Sequence, residues 1–241
     1  MATVDTEQHL AWEARQRPRA AIAAILAAVL TLASDLWTTA VLRDAPKGGY
    51  LDSLQRALEP GRVADAPSLR TSYFEWIHDH STALVGANVV KGLGYIAVGW
   101  ALTFLIVATR ARRPIVARPV VYVALVGAVL SAIAGIAFWA GYSSAVNDFL
   151  SGSHTVARAA NAGKGSLLLT AQFIGLAGQL ALAVGYVFVS LNAMRAGLLT
   201  RFMGILGCII GALVIIPLGP LPIVQTFWLG ALAALLFGWL I

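Results

Sequence analysis

The sequence predicts an all-α integral membrane protein, a bundle of six transmembrane helices with the N and C termini cytoplasmic. Three observations carry that expectation. Of the 241 residues, 59% are hydrophobic and only 12% are charged, about half the charge of an ordinary soluble domain. A soluble fold of this size keeps much of its surface in water, so so apolar a chain needs a bilayer as its solvent. The apolar residues also gather into stretches of about 20, the length that crosses ~30 Å of hydrocarbon. Finally, the arginines concentrate in links that would share one face of the membrane.

The spans read as roughly 20–42, 83–109, 119–142, 166–193, 202–218 and 221–241. A cytoplasmic segment, 1–19, precedes a transmembrane domain, 20–241, with its main extracytoplasmic loop at 43–82. Arg15, Arg17 and Arg19 precede the first span; Arg110, Arg112, Arg113 and Arg118 fill the second link; Arg195 and Arg201 flank the fourth. These nine face only Asp5, Glu7 and Glu13, which leaves the whole formal charge of +6 on that side. The opposite side is neutral. An excess of Lys and Arg in short links marks the cytoplasmic face, so the charge needs no nucleic-acid partner; contact with anionic membrane lipids accounts for it. The expected location is the plasma (inner) membrane.

The first span follows three arginines, as a signal peptide would, with a cleavage alternative after Ala33. The apolar stretch continues through Leu36-Trp37 to Leu42, long enough for an uncleaved signal-anchor. In the 43–82 loop, Leu51, Leu54 and Leu58 predict a short helix over 50–58, and Ser72-Tyr73-Phe74-Glu75 predicts a second that starts with a capping box. The next outer loop, 143–165, is rich in Gly, Ser and Ala and is expected to be partly flexible. Gly219-Pro220-Leu221-Pro222 predicts a tight hairpin between the last two spans. Ala97-Val98-Gly99-Trp100 and Ala183-Val184-Gly185-Tyr186 are alike; a duplicated helical hairpin and coincident small-residue patterning both produce that likeness.

Ionisable residues inside a span are costly, and each is a candidate functional group. Asp35 and Lys91 fall at matched depth, roughly 6–8 Å outward of the midplane at 1.5 Å per residue, which predicts a pair between the first two spans. Thr31, Ser34 and Thr38 share the face of Asp35, and Asn88 stands three residues before Lys91. Gln172, Gln179, Trp139 and Tyr142 fall in the outer halves of neighbouring spans or near their middles. Asp35, Asn88, Lys91, Gln172, Gln179 and Trp139 are therefore the candidate ligand- or ion-binding set, with an acid, a base, amides and an aromatic wall. A pair that only fixes helix register, and a proton-coupled site, are the competing readings.

Glu75, His78, Asp79 and His80 form the densest ionisable cluster. Glu75, His78 and His80, with His154 as a further ligand, are weak candidates for a metal site; solvation at headgroup level is the alternative. With one cysteine, Cys208, and no CxxC or HExxH, no disulfide, cofactor or catalytic residue is expected. Gly204, Gly207 and Gly211 form a small-residue stripe, repeated more loosely at Gly175 and Gly178 and at Ala128, Ser131, Ala132 and Gly135. Such stripes let helix backbones approach in lipid, within one chain or across a homo-oligomer.

The run Ser190-Leu191-Asn192-Ala193-Met194-Arg195-Ala196-Gly197-Leu198-Leu199-Thr200-Arg201-Phe202-Met203-Gly204, with Pro217 to Pro222 and Phe227-Trp228, resembles a group of uncharacterised actinobacterial multi-pass membrane proteins. The resemblance covers the last fifth to quarter of the chain. It implies a bacterial plasma-membrane protein and transfers no functional residue. It also implies a polar tail after the last span, so residues beyond Ile241 are an expectation of the resemblance. Binding or transport of a small molecule or ion is the expected function. An accessory or scaffold subunit packed on a partner membrane subunit is the alternative, and an intramembrane enzyme lacks any motif.

Overall fold

The computed structural model describes residues 2–47, 65–112, 119–216 and 221–238, and these are helical throughout apart from their links. Four helices are long and apolar enough to cross a membrane: α1 (Ala2–Arg43), α3 (Ser81–Arg112), α4 (Pro119–Leu150) and α6 (Ser166–Arg195). Two short helices, α2 (Thr71–Asp79) and α5 (Val156–Ala162), lie between them. The chain ends in two shorter apolar helices, α7 (Arg201–Ile215) and α8 (Leu221–Leu236). At 15 and 16 residues these last two rise only ~23 Å, less than the hydrocarbon thickness.

The helices pack around a ring in the order α1, α3, α4, α6, α7, and α8 closes it against α1. α8 lies mainly on α1 and touches α7 only briefly; the turn of the expected hairpin, 217–220, is outside the described residues, as is the helix expected over 50–58. Contacts with both α1 and α4, and with α6 across the ring, make α3 the most buried of the long helices.

Side-chain size is sorted as lipid-facing bundles require. Ala20, Ala21, Ala24, Ala27 and Ala28 turn one face of α1 inward, while Ile22, Leu26 and Val29 stay exposed. Phe173, Phe202 and Ile223 point outward on other helices. Water would drive such groups inside; lipid leaves them out and rewards close backbone packing. The glycine stripes supply it. A Cβ on Gly211 would stand 2.8 Å from Ala183 O, one on Gly204 2.9 Å from Met194 Cβ, and one on Gly207 would strike Ser190. All three glycines therefore seat α7 on α6 of the same chain. The matched glycines of the suspected repeat do not behave as a duplication requires. Gly99 abuts Ala128 and Gly185 abuts Ala124, so both press on α4 instead of on equivalent partners.

Two ends can be told apart. At the basic end, α6 stops in a Schellman motif: Leu198 N–H donates to Ala193 O at 2.9 Å and Gly197 N–H to Met194 O at 3.1 Å. Gly197 takes the left-handed φ of +72° that this motif needs. Thr200 then caps α7, its hydroxyl accepting from Met203 N–H at 3.2 Å. At the loop end, Phe74 and Ile77 of α2 pack with Val146 and Phe149, and the two loops clasp through Ser68 N–H to His154 O at 2.7 Å.

Several local expectations need correction. α1 begins well before residue 20 and runs through Pro18, so the segment 2–19 is a helical continuation of the first span. The capping box is not formed: α2 starts at Thr71 after Arg70, without a side-chain cap. The 143–165 loop is largely helical, because α4 continues to Leu150 and α5 follows. Burial of Val146 and Phe149 under α2 outweighs the weak helix propensity of Ser143, Ser144 and Asn147.

Candidate functional site

The site starts with two charges on neighbouring helices. Lys91 Nζ donates to Asp35 Oδ1 at 2.6 Å, with the side chains 31% and 26% exposed. The depth-matched pair read from the sequence is thus in contact. The helices are locked on either side of it: Ser34 Oγ donates to Ala87 O at 2.7 Å, and Gly94 lets Thr31 approach α3 closely. Thr31 and Ser34 are buried, as their shared face with Asp35 predicts.

Beyond Lys91 the cluster extends toward α4 and α6. A cavity of about 140 Å³ is lined by Asn88, Lys91, Tyr95, Ser131 and Gln179. Its floor is opened by glycines: Gly92, Gly135 and Gly175 also line it. Asn88 donates to Leu84 O at 3.0 Å, and its Oδ1 faces the space a Gly135 side chain would take. A wider groove of about 400 Å³ adjoins this cavity, shares Asn88, Gly135, Gly175 and Gln179 with it, and adds Trp139 and Gln172. Five of the six candidate residues therefore line these two adjoining spaces, the groove being walled also by Ala134, Phe138, Ala171 and Leu176, and Asp35 reaches the cavity through Lys91. Gln172 and Gln179 are exposed at the α4–α6 side of the bundle. Trp139 packs edge-on against Tyr142 and Phe138 at the outer rim.

Two members escaped the sequence reading. Tyr95 is one helical turn past Lys91 and could have been found by that spacing. Ser131 looked like a packing residue, yet its buried Oγ has no hydrogen-bond partner among the described residues. A buried hydroxyl left without a partner costs about 1–3 kcal/mol, and here it offers both a donor and an acceptor beside the cavity.

The weak metal candidates are not brought together. Among the described residues no three His, Cys, Asp or Glu side chains converge. His78 Nδ1 donates to Asn147 Oδ1 at 2.6 Å. His80 stacks on Trp76 and donates to the Trp76 carbonyl at 2.9 Å. His154 stacks on Phe149, and Glu75 and Asp79 are exposed. Each imidazole thus serves the loop-end packing.

A third charged group was also missed. Glu13, only 5% exposed, accepts from Arg17 at 2.8 Å and from Arg112 at 2.9 Å, which ties the start of α1 to the end of α3. Trp12 stacks beside it on Phe104. The sequence had shown Glu13 only as one acid among basic neighbours. Comparison of the chain with protein-family models, curated proteins and solved structures returned no match.

Proposed function

We propose that this chain is a bacterial plasma-membrane protein that binds, and moves, a small polar molecule or ion through the cluster of Asp35, Asn88, Lys91, Gln172, Gln179 and Trp139. The observation that carries the reading is the cavity. An ion pair used only to fix register needs no space beside it, yet this pair adjoins a glycine-floored polar cavity with two carboxamides, a phenol and a buried hydroxyl. The paired charges sum to zero, so the ligand class is a small neutral or zwitterionic polar molecule, held by amide and hydroxyl hydrogen bonds. An ion would bind by opening the pair and replacing one partner.

Six spans with both termini cytoplasmic belong to the same proposal. The arginines of α1, α3 and the α6–α7 link stand at one end of the bundle, and the positive-inside rule turns that end to the cytoplasm. α7 and α8 complete the count as short spans, which local thinning of the bilayer accommodates. The resemblance to actinobacterial membrane proteins agrees with this location.

An accessory subunit is the second reading, favoured by the closure of the Asp35–Lys91 pair on itself at 2.6 Å. A thermal-shift screen of the purified chain separates the two. Amino acids, sugars, polyols and inorganic ions are the probes, and Asn88→Ala/Gln179→Ala is the comparison. A compound present at about 100 times its Kd adds ~2.7 kcal/mol to the wild type and nothing to the variant. No stabilisation across the whole set would favour the accessory reading.

A further inference from the structure

We propose that the basic end of the bundle holds the phosphate of an anionic phospholipid, in a site built on Arg17 and Arg112 around the buried Glu13. The proposal draws on neither Asp35 nor Lys91, so it stands apart from the cluster at the other side of the bundle.

Two cavities flank the Glu13 carboxylate, of about 490 and 340 Å³, and both are lined by Glu13, Arg17 and Leu236. The second is enclosed by α1, α3, the α6–α7 link and α8, and Arg112 lines it as well. Glu13 accepts three bonds on one oxygen, from Arg17 Nε and Nη2 and from Arg112 Nη2. A guanidinium has five N–H donors. Among the described residues, Arg17 Nη1 and the Nε and Nη1 of Arg112 donate to nothing. The carboxylate thus fixes two guanidinium groups in place and leaves the group with a net charge of +1. Among the described residues, Glu13 is also the one carboxylate lining either cavity. A phosphodiester carries one negative charge and suits the fork of donors that remains.

The walls decide between a free phosphate and a lipid. Behind the arginines the cavity is apolar, with Phe104, Leu105, Leu198 and Leu235. An inorganic anion gains nothing from these walls, whereas the first carbons of an acyl chain would lie along them. In the topology proposed above the site stands where a span meets the headgroup layer, the level at which interfacial aromatics gather, and Trp12 stacks on Phe104 at the same end.

The test is native mass spectrometry of the full chain in neutral detergent, with dioleoylphosphatidylglycerol, dioleoylphosphatidylcholine and inorganic phosphate as probes. The expected result is one phosphatidylglycerol retained per chain, in preference to phosphatidylcholine, and undisturbed by equimolar phosphate. Arg17→Gln/Arg112→Gln should lower that retention about tenfold. Arg15→Gln/Arg19→Gln, which removes two exposed arginines outside the cavities, should leave it unchanged. Equal retention of the two lipids would overturn the proposal with the wild type alone, and displacement by phosphate would do the same. An equal loss in both double variants would reduce the effect to diffuse charge and also overturn it.

Discussion

Lys91 Nζ and Asp35 Oδ1 stand 2.6 Å apart across the seam of α1 and α3, although 56 residues separate them in the chain. The seam beside them is held by Ser34 Oγ on Ala87 O. Removing one charge leaves the other inside a span without its partner, while removing both leaves a neutral seam. Asp35→Asn and Lys91→Met are each expected to destabilise the purified protein by about 2 kcal/mol, discounted for partial exposure. The double variant should cost clearly less than the sum. Thermal unfolding in detergent measures the cycle, and strictly additive losses would mean that the contact carries no coupling.

The glycine stripe of α7 is a second point of leverage. Gly211 meets the backbone oxygen of Ala183 and Gly207 meets Ser190, so neither partner can move aside cheaply. Gly211→Ala should cost about 1–3 kcal/mol by overpacking, and Gly207→Leu should abolish the monodisperse peak in size-exclusion chromatography. Gly230 on α8 has nothing within 4 Å of its added Cβ, and Gly230→Leu should behave as wild type. A dimer that dissociates in Gly207→Leu while the monomer stays folded would contradict the intramolecular seating.

Orientation is open to a direct check. Glu13 contacts Arg112, and the α6–α7 link lines a cavity with both. The loop carrying Ser153 lies at the far end of α4 and is clasped to the 65–70 segment. Reporter fusions at Gly197 should be active only for a cytoplasmic reporter, and fusions at Ser153 only for an extracytoplasmic one. The reverse pattern would invert the topology, and the same sign at both sites would break the bundle described.

How far the sequence could be read follows from what a helix transmits. Depth is legible, because each residue rises 1.5 Å; that is why Asp35 and Lys91 could be matched. Face is legible as well, which placed Ser34 and Asn88. Partners across helices are not legible from one helix alone. Ser131 packs against Gly178 of α6 as its small-residue stripe suggested, but one helix alone could not show that its hydroxyl would also line a cavity without a partner among the described residues. Glu13 preceded the apolar stretch and gave no hint that the end of α3 would bury it. The capping box gave way to a helix start at Thr71, and helix extends into the 143–165 loop where Val146 and Phe149 pack with Phe74, a contact between elements that neither segment shows alone.

Access of water to the cavity tests the central claim most directly. Gln179 lines both the cavity and the groove, while Leu180, the next residue, is exposed on the apolar outside of the bundle. Single cysteines are placed at Gln179, Leu180 and Ser153 in a Cys208→Ser chain, in membrane vesicles. Each is treated with a charged, water-borne methanethiosulfonate reagent and read by intact mass. The account predicts rapid modification at Ser153→Cys and Gln179→Cys and none at Leu180→Cys. Modification at Ser153→Cys alone would mean that the polar cluster is sealed, and would contradict a binding role for it.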